Sequence, residues 1–290
     1  MRPTDPGKLT WFPHVPLERK SDLVLSSFEN IGVGLSDIPK DILKRLNTIE
    51  LESHFNENSR RIEIAYNKLL PEMVNLFGVK FSKLEIQEAR LGVLLHDVGK
   101  IGPPEADRRM QRDIIDLFAE DKILRPTTAL RDAVVLRFGQ AREEEVMKIL
   151  LSHGFTEEST MLDFWNAHSE WGIAVLESHK DKLPGLTRLV AESHHMGRGG
   201  GKGPNPFRLP QTPEGLSALE DNMEEKKKYI LALLLIVLDK FEAIKSRGGQ
   251  GVTGRDILLK EGFEKNPYMQ GLITLVEEKI KDPKFFNTES

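Results

Sequence analysis

Residues 229–239 read YILALLLIVLD, ten apolar side chains in a row closed by an acid. The run is the longest of its kind in the chain, about half of the ~20 residues needed to cross a bilayer, so it reads as a buried core helix. Working outward, most segments from Pro39 onward favour helix formers with apolar residues at three- and four-residue spacing. Ile62, Ala65, Tyr66, Leu69, Leu70, Met73 and Leu76 are one such face, with Gly78 as its stop. Another apolar face, Arg90 to His96, is broken at Gly99, Gly102, Pro103 and Pro104. Further helical patterns cover about 106–122, 128–138, 141–152, 168–180, 184–195, 215–246, 253–263 and 269–281. No alternating β-branched run is long enough to propose a sheet, so the expected fold is nearly all α. The glycine- and proline-rich stretch Met196 to Thr212 must be a loop, and Gly248 to Gly254 a short turn.

The composition narrows the chemistry. Among 290 residues there is no cysteine, which excludes disulfides, thiolate zinc sites, iron–sulfur clusters and cysteine nucleophiles. Any metal must be held by nitrogen and oxygen. With 39% apolar and 30% charged residues the chain reads as a globular protein, and a net charge of −4 without large single-sign blocks gives no footprint for duplex nucleic acid or an anionic membrane. The first residues carry Pro3, Pro6, Pro13 and Pro16 and no apolar signal core, so an irregular arm and a cytoplasmic location are expected.

Eight histidines are present, and several stand in company that suits a ligand. His96-Asp97 closes an apolar helix containing Leu91, Val93, Leu94 and Leu95, and a carboxylate buried there needs a compensating charge. Glu50 and His54 lie one helical turn apart on the same face. His194-His195 ends the Leu186–Ala191 apolar stretch just before the glycine-rich loop. Neighbours on a helix point about 100° apart, so adjacent ligands suit two metals better than one. Asp239, behind ten apolar residues, also wants a partner. His14, His153 and His179 lack a ligand neighbour at useful spacing and are read as structural. Trp165 and Trp171 flank His168 and are read as packing residues that could line a pocket.

The ordered set His54, His96-Asp97, His168, His194-His195 and Asp239 resembles the signature of the HD superfamily of metal-dependent phosphohydrolases. It is most similar to the HD-GYP branch, the bacterial cyclic di-GMP phosphodiesterases. Residues 94–105, LLHDVGKIGPPE, are similar to that family's HD segment, and residues 237–247, VLDKFEAIKSR, to its Asp-x-Phe-x-Ala segment. The resemblance spans about residues 48–248. It implies an HD-domain helical bundle preceded by an N-terminal arm and lead-in helix over 1–47, the main domain being 48–290. It also implies a metal set of Glu50, His54, His96, Asp97, His168, His194, His195 and Asp239, with Glu50 matching the carboxylate that lets some members hold a third ion.

This chain departs from the family in two places. His-His is followed by Met196 rather than glutamate, and Lys202 and Gly203 stand where the family's Gly-Tyr does, so the GYP motif is degenerate. From Asp97 to His168 is 71 residues, longer than usual, so 103–165 reads as a helical insertion that could cap the site, make a homodimer or decorate it; 253–290 reads as C-terminal helices.

Eight nitrogen and oxygen ligands without sulfur favour two or three divalent ions of iron or manganese, with zinc left open. Asp97 is the candidate to bridge them, and two ions can generate the hydroxide that attacks phosphorus. Lys100, three and four residues past Asp97 and His96, has no obvious interior ion-pair partner and would face the phosphate. Arg247 matches a family arginine suited to a phosphate oxygen, and Lys202 and Arg198 add charge to a glycine-rich loop whose N–H groups could face an anion. The expectation is hydrolysis of cyclic di-GMP. The alternatives are another nucleotide, or a metal-containing module that binds a cyclic dinucleotide without turnover.

Overall fold

The computed structural model describes residues 25–53, 55–119, 124–197, 203–246, 253–282 and 285–286. The chain is all α, with no strand among these residues and a single isolated bridge between Ala129 and Thr160. In order the helices are α1 (25–30), α2 (Lys40–Glu52), α3 (Phe55–Leu69), α4 (Glu72–Phe77), α5 (Lys83–Leu95), α6 (Arg108–Ala119), α7 (Leu130–Phe138) and α8 (Gln140–Ser152). They continue as α9 (Met161–Glu177), α10 (Gly185–Glu192), α11 (Pro213–Ala218), α12 (Met223–Ser246), α13 (Gly254–Leu258) and α14 (Pro267–Lys279). A 3₁₀ turn, Val98–Ile101, follows α5.

Tyr229 through Leu238 are fully buried, so α12 is apolar on every side and lies at the centre of the bundle. It packs against α3, α10 and α14. The buried Tyr66 hydroxyl donates to the Leu231 carbonyl at 2.9 Å, which satisfies its one polar atom and joins α3 to α12. A second core gathers Ile42, Leu46 and Ile49 of α2, Leu91, Leu94 and Leu95 of α5, and Val175 and Leu176 of α9. Gly92 lets α5 and α10 cross closely, since a Cβ there would stand 2.6 Å from the Thr187 carbonyl oxygen.

A third core belongs to residues 103–165 and what they touch. Met110, Ile114, Leu117 and Phe118 of α6 pack with Leu130, Val134, Val146, Met147 and Leu150 of α7 and α8, against Phe164 and Trp171 of α9. The excursion closes where Leu130 N–H donates to the Ser159 carbonyl at 2.8 Å and Met161 N–H to the Thr128 carbonyl at 2.9 Å.

Several boundaries differ from the sequence expectation. The arm expected to be irregular to about residue 36 forms α1 over 25–30 and a 3₁₀ turn at Leu35–Asp37, because Phe28, Ile31 and Ile38 are buried in the second core. The division after residue 47 falls inside α2, whose Ile42, Leu46 and Ile49 bury one continuous face. The pattern at 168–180 belongs to a helix that starts at Met161, where Thr160 and Asp163 cap each other's backbone N–H groups. The pattern at 215–246 is two helices, and the Asn222 side chain accepts from Glu225 N–H at 3.2 Å to start the second. No helix among the described residues is long and apolar enough to cross a membrane.

Candidate metal centre

His96 caps the C-terminus of α5, and the chain then tightens into the 3₁₀ turn. Three residues per turn places i and i+3 on one side, which brings Lys100 over Asp97. Its Nζ donates to Asp97 Oδ2 at 2.6 Å. The sequence left Lys100 without an interior partner; the partner is the expected bridging carboxylate itself. The turn lies directly on α9, since a Cβ at Gly99 would stand 2.0 Å from the His168 carbonyl oxygen and 2.4 Å from the Gly172 nitrogen. That backbone-to-backbone approach sets His96 and Asp97 beside His168.

The imidazoles are aimed by their own helices. His96 Nδ1 donates to the Val93 carbonyl at 2.7 Å, His194 Nδ1 to the Ala191 carbonyl at 2.6 Å, and His168 Nδ1 to the Trp165 carbonyl, in each case three residues back. A carbonyl can only accept, so Nδ1 carries the proton and Nε2 presents a lone pair, the arrangement common to metal-ligating histidines. His96 Nε2 lies 3.4 Å from Asp97 Oδ2 and 3.8 Å from Asp239 Oδ1, and His168 Nε2 lies 3.8 Å from Asp97 Oδ1. The buried Nε2 atoms of His96 and His194 have no hydrogen-bond partner among the described residues. Such a buried group costs about 1–3 kcal/mol each if nothing meets it.

His168, His194 and His195 form a cluster that could hold a metal ion, one nitrogen from each lying within 4.8 Å of the others. The Nε2 atoms of His168 and His195 are 2.8 Å apart. Two nitrogens bound to one ion at about 2.1 Å are about 3.0 Å apart at a right angle and about 3.4 Å apart in a tetrahedron. The observed spacing therefore suits an octahedral ion, and the donor set fits the group that the sequence implied. The ring edge of Phe118, from α6, packs against His168 with centroids 5.6 Å apart, so residues 103–165 supply a wall of the site. Trp171 is buried against Phe155 and Phe164.

Electrostatics divide the cluster. Burial alone would raise the Asp97 carboxyl, but His96, Lys100 and His168 outweigh it and hold it well below the usual carboxylate range. Asp239 is likewise depressed despite burial, by Lys240 and His96. Burial would lower His96, yet Asp97 and Asp239 raise it. Burial and the neighbouring His96 push His194 well below the ordinary histidine value.

The sign of the His194 contribution follows. Folded His194 stays neutral while an unfolded histidine takes up a proton below about pH 6.5, so this stabilisation is full above that pH and is lost as pH falls. His96 contributes in the opposite sense, present below about 6.5 and lost as pH rises through its folded value. Denaturant melts of metal-free protein from about pH 7.5 to 5.5 are expected to give His194→Gln a shallower fall in stability toward acid than the wild type.

The structure thus brings together His96, Asp97, Lys100, His168, His194, His195 and Asp239. Glu50 is buried in the last turn of α2, while His54, Lys202 and Arg247 lie outside the described residues. His153 and His179 face Glu105 and Asp41.

Sequence reading missed Arg45. Its buried guanidinium donates to the carbonyls of Gly102, Pro103 and Pro104 at 3.0, 2.7 and 2.8 Å and pins the segment leaving Lys100. The signal was present, because Arg45 shares the apolar α2 face of Ile42, Leu46 and Ile49. Compared with family models, curated proteins and solved structures, the chain matches none of them.

Proposed function

We propose that the chain is a metal-dependent phosphohydrolase that cleaves a phosphodiester, with cyclic di-GMP the substrate its HD-GYP resemblance implies. One observation carries the reading. Three histidines on three separate helices spend Nδ1 on their own backbone and turn Nε2 toward the region where Asp97, Asp239 and His195 also converge. A structural histidine cluster has no reason to repeat that orientation.

His168, His194 and His195 with Asp97 Oδ1 would hold one ion, and His96, Asp239 and Asp97 Oδ2 another; Glu50 and His54 are the proposed additional ligands. When bound, iron, manganese or zinc would supply Lewis acidity at a phosphoryl oxygen and a nucleophilic water at neutral pH. Asp97 keeps its negative charge at any pH where the protein works, because its carboxyl is held so low. Lys100 would meet the charge developing on the phosphate and hold a proton for the leaving oxygen. Arg247 and Lys202 are the proposed substrate contacts.

Met196 favours a second reading, hydrolysis of a different nucleotide. It occupies the position of the family's glutamate and is fully buried in the central core, where it offers no polar contact to a substrate. The metal set specifies phosphorus chemistry, and the loop after His195 specifies the base.

Purified protein is expected to carry at least two transition-metal ions per chain by elemental analysis and to hydrolyse bis-p-nitrophenyl phosphate. Asp97→Ala should lower that rate by about 10³-fold or more, a loss of roughly 4 kcal/mol of transition-state stabilisation. Metal content near zero would sink the enzyme reading. A panel of cyclic di-GMP, other cyclic dinucleotides and mononucleotides separates the two readings, and saturable binding of cyclic di-GMP without turnover would make the chain a signalling module.

A further inference from the structure

We infer that Lys100 is a built-in competitor for one half of the metal centre, so that the ions load in a fixed order. The inference rests on the metal-centre reading above. Asp97 presents its two oxygens to different neighbours: Oδ1 faces His168 Nε2 at 3.8 Å, whereas Oδ2 faces His96 Nε2 at 3.4 Å and holds the Lys100 ammonium at 2.6 Å. An ammonium at that distance occupies the place a cation would take on Oδ2. A divalent ion arriving beside it meets like charge at short range in a largely buried site, where repulsion is strong. The backbone cannot yield, because Gly99 presses the 3₁₀ turn onto α9 and Arg45 grips the segment that follows. Only the lysine side chain can move, by rotation of its flexible stem.

The order follows from this placement. The ion held by His168, His194 and His195 binds first, since it takes Asp97 only through Oδ1. The ion held by His96, Asp239 and Asp97 Oδ2 binds second and more weakly, because it must displace Lys100. Displacement then has a use. An ammonium driven off Asp97 is free to meet an anion, so phosphate and the second ion should each strengthen the other's binding by the same factor.

Calorimetric titration of chelator-treated full-length chain with Mn²⁺ tests this. Wild type is expected to bind one ion tightly and a second at least about tenfold more weakly, a difference of about 1.4 kcal/mol. Lys100→Gln should tighten the second ion by about tenfold and leave the first unchanged, while Lys100→Arg should keep the two-step titration. Adding inorganic phosphate should tighten the second ion in wild type and not in Lys100→Gln. An unchanged or weakened second ion in Lys100→Gln, with the first intact, overturns the competitor role alone. Failure of wild type to bind Mn²⁺, or tight binding that survives His194→Gln unaltered, overturns the metal-centre reading with it.

Discussion

Gly99→Ala is expected to cost more than about 3 kcal/mol of stability and to break the metal centre. The new Cβ would lie 2.0 Å from one backbone atom, the His168 oxygen, and 2.4 Å from another, the Gly172 nitrogen. Neither can rotate away, so the turn must lift off α9 and carry His96, Asp97 and Lys100 away from His168. Gly172 supplies an internal control, because a Cβ there meets only ordinary contacts, the nearest at 3.6 Å. Gly172→Ala, in the interior of α9, should be neutral or gain up to about 1 kcal/mol from helix propensity. Urea melts and metal content of the two variants check the contrast. A Gly99→Ala protein with wild-type stability and full metal content would refute the close approach.

Arg45→Met is expected to cost about 3–5 kcal/mol. Its guanidinium fork serves three successive carbonyls, and Pro103 and Pro104 have no N–H with which that segment could build a turn of its own. Methionine fills much of the volume and leaves all three acceptors buried and unmet. Lysine keeps the charge but not the fork, so Arg45→Lys should fall between wild type and methionine. Equilibrium unfolding ranks the three, and equal stability of wild type and Arg45→Met would show that water serves the carbonyls instead.

The helical character of the chain was legible because apolar residues recur at the helical period and the run at Tyr229–Leu238 is too long and too apolar for any place but the centre. The candidate ligands were legible because polar residues that end apolar runs, such as His96-Asp97 and Asp239, must be compensated where they are buried. What escaped depends on local hydrogen bonds and close approaches that periodicity does not encode. The Thr160–Asp163 capping box starts α9 ahead of its apolar pattern, and the Asn222 side chain divides what looked like one helix. The Lys100–Asp97 pair escaped because it exists only if the turn is 3₁₀, and that depends on Gly99 meeting α9. Arg45 escaped because a cation on an apolar face is read as an exception until its carbonyls are in view.

The excursion between Asp97 and His168 returns to its start. The Ala129–Thr160 bridge and its flanking hydrogen bonds bring the two ends of the 130–159 segment side by side, and the helices between them pack mainly with one another. Chain length across that neck is therefore decoupled from ligand geometry. Residues can be added or lost beyond it at an entropic cost that grows only logarithmically, while the carboxylate on one side and the imidazole on the other keep their separation. The lobe past the neck is the part of this protein most open to change by descent, and Phe118, which reaches back to His168, is the thread by which such change would be felt at the metals.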